Sequence, residues 1–303
     1  MNEPIRVSEE VSDAVAAGRP VLALESTIFT HGLPRPRNVE VAARGERVAR
    51  ELGVVPATIG VVDGVGVVGL SGGEIERLAH DDDVAKASVR DLPVCAALGR
   101  NAGTTIAATT LLARRAGISV FSTGGLGGVH HHASTTFDES ADLVTLAHEA
   151  IVLVSSGAKA ILDIPATLER FETLSVPVIG YRTLDYPGFY VRSSGHRLTS
   201  RIETPGQAAE IFRASQALGL PASVLIANPI PEADSLDPHD LDAVIEEAWA
   251  AAEADRISGQ ATTPYLLDYI RRATGDRSLE ANVALYLNNV RLGARIATAL
   301  ASA

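Results

Sequence analysis

The chain has 303 residues, 46% of them hydrophobic and 21% charged, with a formal net charge of −11. That charge excludes the basic footprint of a protein that grips a phosphate backbone, and the single cysteine, Cys95, excludes an intrachain disulfide framework. The N-terminal MNEPIRVSEEV lacks a basic segment followed by an apolar one, and the apolar stretches are too short and interrupted to span a bilayer. A cytoplasmic enzyme with no nucleic-acid or membrane partner is the expectation.

In chain order, short runs rich in Val, Ile and Leu alternate with alanine-rich stretches. The runs predict strands at Val21–Glu25, Thr58–Val62, Val94–Leu98, Ser119–Ser122, Ala160–Asp163, Val178–Tyr181 and Ser223–Ala227. Between and after them, helices are predicted at Arg37–Leu52, Gly72–His80, Thr105–Ala116, Thr145–Ser155, Pro165–Leu174, Thr204–Leu218 and His239–Ala254. The tail, residues 278–300, reads as a further helix, with Leu279, Val283, Leu287 and Val290 at helical spacing and Ser278 as its cap. Residues 1–19 read as a lead-in. This alternation predicts one α/β domain over 1–303, with a largely parallel sheet covered on both faces. Ligands gather at the carboxyl ends of strands in such sheets. Three strands run there into polar or glycine-rich turns: Glu25-Ser-Thr27, Thr123-Gly-Gly125 and Asn228-Pro229.

Of the 26 basic residues only two, Lys86 and Lys159, are lysines. A GC-rich codon bias explains the arginines but not these two exceptions. A desolvated lysine can lose its proton and attack a carbonyl, which guanidinium cannot do. Lys159 lies in the apolar stretch Ala150–Ile164, a setting that predicts a poorly hydrated amine; the competing reading is a lysine snorkelling from a sheet edge. Glu25 closes an apolar strand, where a carboxyl suits acid–base work, although it could equally accept hydrogen bonds from turn amides. Thr123–Leu143 is the most unusual segment, glycine-rich and then histidine-rich. One functional histidine among His130, His131 and His132 is expected. Asp138, Glu139 and Asp142 are candidate hard-oxygen ligands for Mg²⁺ or Mn²⁺, or simply acids at a helix N-terminus. Gly64-Val-Gly66-Val-Val-Gly69 matches a dinucleotide fingerprint only nominally, because no convincing helix opens at its last glycine.

The order of motifs carries a resemblance. Glu25-Ser-Thr-Ile-Phe-Thr-His-Gly-Leu-Pro34, Pro56-Ala-Thr-Ile-Gly60, Lys86 with Arg90-Asp-Leu-Pro93, and Gly103-Thr-Thr-Ile-Ala-Ala-Thr109 come first. Ser122-Thr-Gly-Gly-Leu-Gly-Gly-Val-His130, Thr136-Phe-Asp138, Ser140-Ala-Asp-Leu143, Ser156-Gly-Ala-Lys159, Asn282 and Asn288-Asn289 follow. Together they closely resemble the pseudouridine-5′-phosphate glycosidases, also called indigoidine synthase A-like proteins, over Pro20 to Ala297. The resemblance implies a three-layer α/β/α homotrimer. It also implies reversible cleavage of the C–C glycosidic bond of pseudouridine 5′-phosphate to uracil and ribose 5-phosphate. By the same resemblance Lys159 is the Schiff-base nucleophile, Glu25 the proton donor and Asp138 the Mn²⁺ ligand. Lys86, Ile106, Ser140, Ala141 and Asp142 bind substrate, and His130 and Asn282 are polar active-site positions. The chain departs from the pattern at His131 and Val89, where relatives commonly carry arginine, and both departures bear on phosphate contacts. Two further readings remain open: an aldolase-like lyase working through the same lysine on another phosphosugar, and a non-catalytic sugar-phosphate-binding protein.

Overall fold

The computed structural model describes residues 5–257 and 262–302. Strand β1 (Ile5–Val7) and helix α1 (Glu9–Ala16), capped by the Ser8 hydroxyl, occupy what the sequence suggested was a lead-in. Then come β2 (Val21–Glu25), α2 (Thr27–Thr30), α3 (Arg37–Glu51), β3 (Val55–Val62), β4 (Val65–Val68) and α4 (Gly72–His80). The next segment holds β5 (Ala85–Ala87), α5 (Leu92–Leu98), β6 (Ala102–Thr104), α6 (Ile106–Arg115), β7 (Val120–Ser122) and α7 (Ala133–Thr136). After these lie α8 (Ala141–His148), β8 (Val152–Ser155), α9 (Ile164–Thr173), β9 (Val178–Tyr181), β10 (Arg201–Ile202) and α10 (Pro205–Ala217). The chain closes with β11 (Val224–Ala227), α11 (Pro238–Ala254), α12 (Thr262–Ala273) and α13 (Arg277–Ala301).

The strands form one mixed sheet in the order β1-β4-β3-β2-β7-β8-β11-β9-β10, with β5 and β6 attached through β3. From β3 to β10 every neighbouring pair along this order is parallel, whereas β4 and β6 run antiparallel to β3. Alternation along β2 shows why the sheet is covered twice. Leu22 and Leu24 point into one apolar cluster with residues of α3, α10 and α13, while Val21 and Ala23 point into the other with residues of α1, α6 and α8. The result is the expected α/β/α layering. No helix among the described residues is long and apolar enough to cross a membrane.

Two expected strands need correction. Val94–Leu98 is the body of α5, not a strand: Pro93 sits in its first turn and Gly99, at φ 64°, ends it in the left-handed conformation. Ala160–Asp163 is a turn leading into α9, while the strand lies earlier, at β8. The expected helix Thr145–Ser155 therefore conflated the end of α8 with all of β8. Gly157, at φ 85°, turns the chain immediately beyond β8 and puts Lys159 in a loop at the carboxyl edge of the sheet. The glycines of the nominal dinucleotide fingerprint belong to the β3–β4 hairpin. Its Asp63-Gly64 turn has φ of 50° and 80°, the positive values that a two-residue hairpin loop requires. Neither α12 nor the short β4, β5, β6 and β10 was anticipated.

Candidate active site

Four central strands deliver side chains to one edge. Glu25 is the last residue of β2, Thr123 follows β7, Ser156-Gly-Ala-Lys159 follows β8 and Asn228 follows β11. Beside them lies a cavity of 690 Å³ lined by Glu25, Lys86, Ile106, His130, Asp138, Ser140, Ala141, Asp142 and Lys159. A smaller cavity shares Glu25, Lys86 and Lys159 and adds His31, Gly124, Gly125, Phe189 and Asn282. Every residue given a site role by the resemblance thus lines one or the other, whereas His131 and His132 line neither, and the two cavities share the lysine–glutamate pair.

Glu25 is 8% exposed. Its two carboxylate oxygens accept hydrogen bonds from the hydroxyls of Thr27 and Thr123. Burial pushes its pKa above the ordinary carboxylate range, against the opposing pull of Lys159 and of those hydroxyls. Lys159 is half-buried, and its position is set through backbone: its N–H donates to the Leu126 carbonyl at 3.0 Å, and the Ala158 N–H donates to the buried Tyr186 hydroxyl at 2.8 Å. Lys86, on β5, is also half-buried. Burial and then the Lys159 ammonium hold its pKa below the usual lysine value, with Asp142 and Glu25 opposing.

Two helix N-termini border the larger cavity, that of α6 with Thr105 as cap and that of α8 with Ser140 as cap. Asp142, 5% exposed, ties them together: one oxygen accepts from the Ala107 N–H at 2.9 Å and the other from the Gly127 N–H at 3.0 Å. Both oxygens of this carboxylate are therefore engaged with backbone, in the glycine-rich turn and in the first turn of α6. Gly127 leaves the room for this, since a Cβ there would collide with the Ser140 and Asp142 side chains. Ile106 is the first residue of α6 and supplies an apolar wall.

The three candidate metal-binding acids separate. Glu139 pairs with Arg170 at 2.9 Å, and Asp142 is engaged as described. Among the described residues the Asp138 carboxylate has no such partner, and no group of three or more His, Cys, Asp or Glu side chains is arranged to hold an ion. Next to Asp138, whose carbonyl accepts from the His130 N–H, the buried His130 Nδ1 also lacks a partner. Burial lowers the His130 pKa against the opposing pull of Asp138. One carboxylate with space around it suits a hard divalent ion that keeps water and draws its other ligands from substrate; it does not make an all-protein cage.

Several residues of this edge were not singled out in the sequence. Thr27 and Thr123 stand inside motifs and strand-end turns in the sequence but carry no role there. His31 lines the smaller cavity, where burial and Lys86 keep its pKa low. Phe189, at φ 65°, packs where a side chain on Gly125 would otherwise go. Nothing in local sequence marks it.

Comparison with known proteins decides the family. Residues 10–299 match the indigoidine synthase A like proteins. The chain belongs to that family. It is 61% identical to a pseudouridine-5′-phosphate glycosidase of Saccharopolyspora erythraea over 97% of each chain, and 52% identical to one of Frankia alni over 98% of this chain and 82% of that one. Among solved structures, the prealnumycin C-glycosynthase AlnA in complex with ribulose 5-phosphate superposes with a TM-score of 0.92 at 38% identity, covering 100% of this chain and 98% of that one. An indigoidine synthase A-like protein of Thermotoga maritima gives 0.89 at 36% identity, covering 98% and 96%.

Proposed function

We propose that this enzyme is a pseudouridine-5′-phosphate glycosidase, cleaving the C–C bond between uracil and ribose 5-phosphate reversibly and passing through a Schiff base on Lys159. The observation that carries this is the facing of Lys159 and Glu25 at the junction of two cavities that also share Lys86.

A carbon-linked nucleoside has no leaving heteroatom to protonate, so the paired-carboxylate strategy of ordinary glycosidases fails. An amine supplies the alternative. Neutral Lys159 attacks C1′, the C1′–O4′ bond breaks, and Glu25 gives its proton to O4′, which opens the sugar. Glu25 then regains a proton from the new C1′–N ammonium. The nitrogen lone pair forms C1′=N as the C1′–C5 electron pair leaves with uracil, and Glu25 delivers the proton to C5. Water hydrolyses this protonated imine to ribose 5-phosphate and the lysine ammonium, whose extra proton returns to the Glu25 carboxylate and restores both groups. Protonated Glu25 starts this sequence, and its raised pKa suits that duty.

Lys86, Arg90 and the N-termini of α6 and α8 border the larger cavity and would receive the phosphate. Asp138 would hold an Mn²⁺-type ion beside it; when bound, such an ion offsets phosphate charge. The smaller cavity, with Phe189, Gly124 and Asn282, would receive the planar base. The complex of AlnA fits this reading, because ribulose 5-phosphate has its 5-oxygen esterified and cannot close a furanose. We further propose that the enzyme is a homotrimer, which light scattering checks.

The test is borohydride treatment with ribose 5-phosphate followed by intact-protein mass measurement. The expected result is one sugar adduct on the Lys159 peptide, absent from Lys159→Ala, which also loses turnover of pseudouridine 5′-phosphate. A fully active Lys159→Ala enzyme rejects the reading. An adduct with no change in uracil absorbance on adding the C-nucleotide indicates a lyase for another phosphosugar.

A further inference from the structure

Helix α13 carries an amide that touches neither cavity yet reaches the turns behind both reacting groups. Asn289 is 0% exposed. Its Nδ2 donates to the Thr123 carbonyl at 2.8 Å, with the Gly124 carbonyl at 3.2 Å and the Ser156 hydroxyl at 3.1 Å also in range. Its Oδ1 accepts from Asn228 Nδ2 at 2.9 Å. Its own carbonyl accepts from the Ser122 hydroxyl at 3.0 Å. One side chain thereby joins the turns that follow β7, β8 and β11.

Each turn has one job. Thr123, held by its carbonyl, places the hydroxyl that donates to Glu25. Ser156 begins the Ser156-Gly-Ala-Lys159 turn, and its own N–H donates to the Gly124 carbonyl at 2.9 Å. We infer that Asn289 is a positioning residue that fixes the proton-donating glutamate and the nucleophilic lysine relative to each other, through Thr123 on one side and Ser156 on the other. This rests on the roles proposed above for Glu25 and Lys159. Apolar residues could fill the same volume without leaving polar groups to satisfy, but the strand-end carbonyls would then lose their donors and the two turns their common reference. A buried, fully engaged amide gives geometric definition that packing alone does not.

The arms can be separated. Asn289→Leu removes both, Thr123→Val removes only the hydroxyl on Glu25, and Ser156→Ala removes only the link on the lysine side. Readouts are the rate of borohydride trapping with ribose 5-phosphate, which follows the lysine, and the pH at which kcat/KM falls, which follows the glutamate. Asn289→Leu is expected to slow trapping about 10- to 100-fold, the cost of small misplacement, and to move the pH limb while KM changes little. Ser156→Ala is expected to slow trapping and leave the limb in place; Thr123→Val is expected to do the reverse. A merely structural role would lower the melting temperature of all three without splitting the readouts, and that result overturns the inference. So does a folded Asn289→Leu enzyme with wild-type trapping and an unmoved limb. If Asn289→Leu does not fold, the smaller change Asn289→Ser is read in its place, with the same two readouts and the same overturning result. Failure of the wild-type chain to trap any sugar would instead defeat the proposed reaction itself.

Discussion

At the scale of single residues, Glu25 is a carboxyl pulled in opposite directions. Burial favours its neutral form, while Lys159 and the hydroxyls of Thr123 and Thr27 favour the ionised one. Removing a hydroxyl therefore raises its pKa further. Because the proposed reaction starts from protonated Glu25, activity falls as pH rises through that pKa. Thr123→Val should shift the falling limb of the kcat/KM profile to higher pH; a shift to lower pH would contradict the role. The same balance bears on stability. A folded-state pKa above the unfolded one means that stability present at low pH is lost as pH rises through the folded pKa. Glu25→Gln should therefore be inactive, yet melt higher than the wild type at neutral and alkaline pH. The gain should shrink as pH falls toward the ordinary carboxylate range. Asp142 behaves differently, since both its oxygens accept from backbone N–H groups. An amide at that position turns one acceptor into a donor facing a donor. Asp142→Asn should cost about 1–3 kcal/mol, the usual penalty for an unsatisfied buried group, and raise the KM for ribose 5-phosphate. Thermal melts and steady-state kinetics check both parts.

At the scale of elements, α13 lies against the sheet because Gly293 lets it. A Cβ there would collide with the Ser122 hydroxyl and sit 3.0 Å from Leu22 Cδ1. Gly293→Ala should overpack this contact and destabilise the fold by about 1–3 kcal/mol, measurable by urea unfolding, despite alanine's better helix propensity. The long helices were legible in sequence because their apolar residues repeat every three or four positions, as α3, α10 and α13 show. Short apolar runs were not. Val94-Cys-Ala-Ala-Leu98 is too short for its period to separate strand from helix, and what made it helical was Pro93 in its first turn and Gly99 at its end. Ile151-Val-Leu-Val154 was absorbed into the helix before it because Glu149-Ala150 offers no glycine or proline as punctuation. The break after β8 falls instead at Gly157, beyond the strand.

At the scale of the whole molecule, a chain of net charge −11 must admit a dianionic phosphate. The larger cavity is not a positive basin, since Glu25, Asp138, Glu139 and Asp142 line it beside Lys86, Arg90 and Lys159, so the phosphate must be received by these individual cations. Attraction over such distances is screened by salt, with a Debye length of about 10 Å at 0.1 M. Raising ionic strength should therefore raise KM for the phosphorylated substrate and leave kcat nearly constant. Much of the candidate site was legible because its members fall in short motifs: Glu25, Lys86, Asp138 and Lys159 each sit in one. What sequence could not convey was division of labour. Asp142 and Asp138 look alike on the page, yet one is occupied with two amides and the other is unengaged among the described residues. Asn289 looks like a neighbour of Asn282 but reaches a different part of the structure, behind the strand ends.

The bond from Asn289 to the Thr123 carbonyl joins positions 166 residues apart. Contacts this distant in sequence form late, since the intervening chain must be ordered before they are rewarded. A denatured sample returned to buffer should therefore recover its circular dichroism before its capacity to turn over substrate. The interval between the two would time the docking of the last helix onto an otherwise formed sheet.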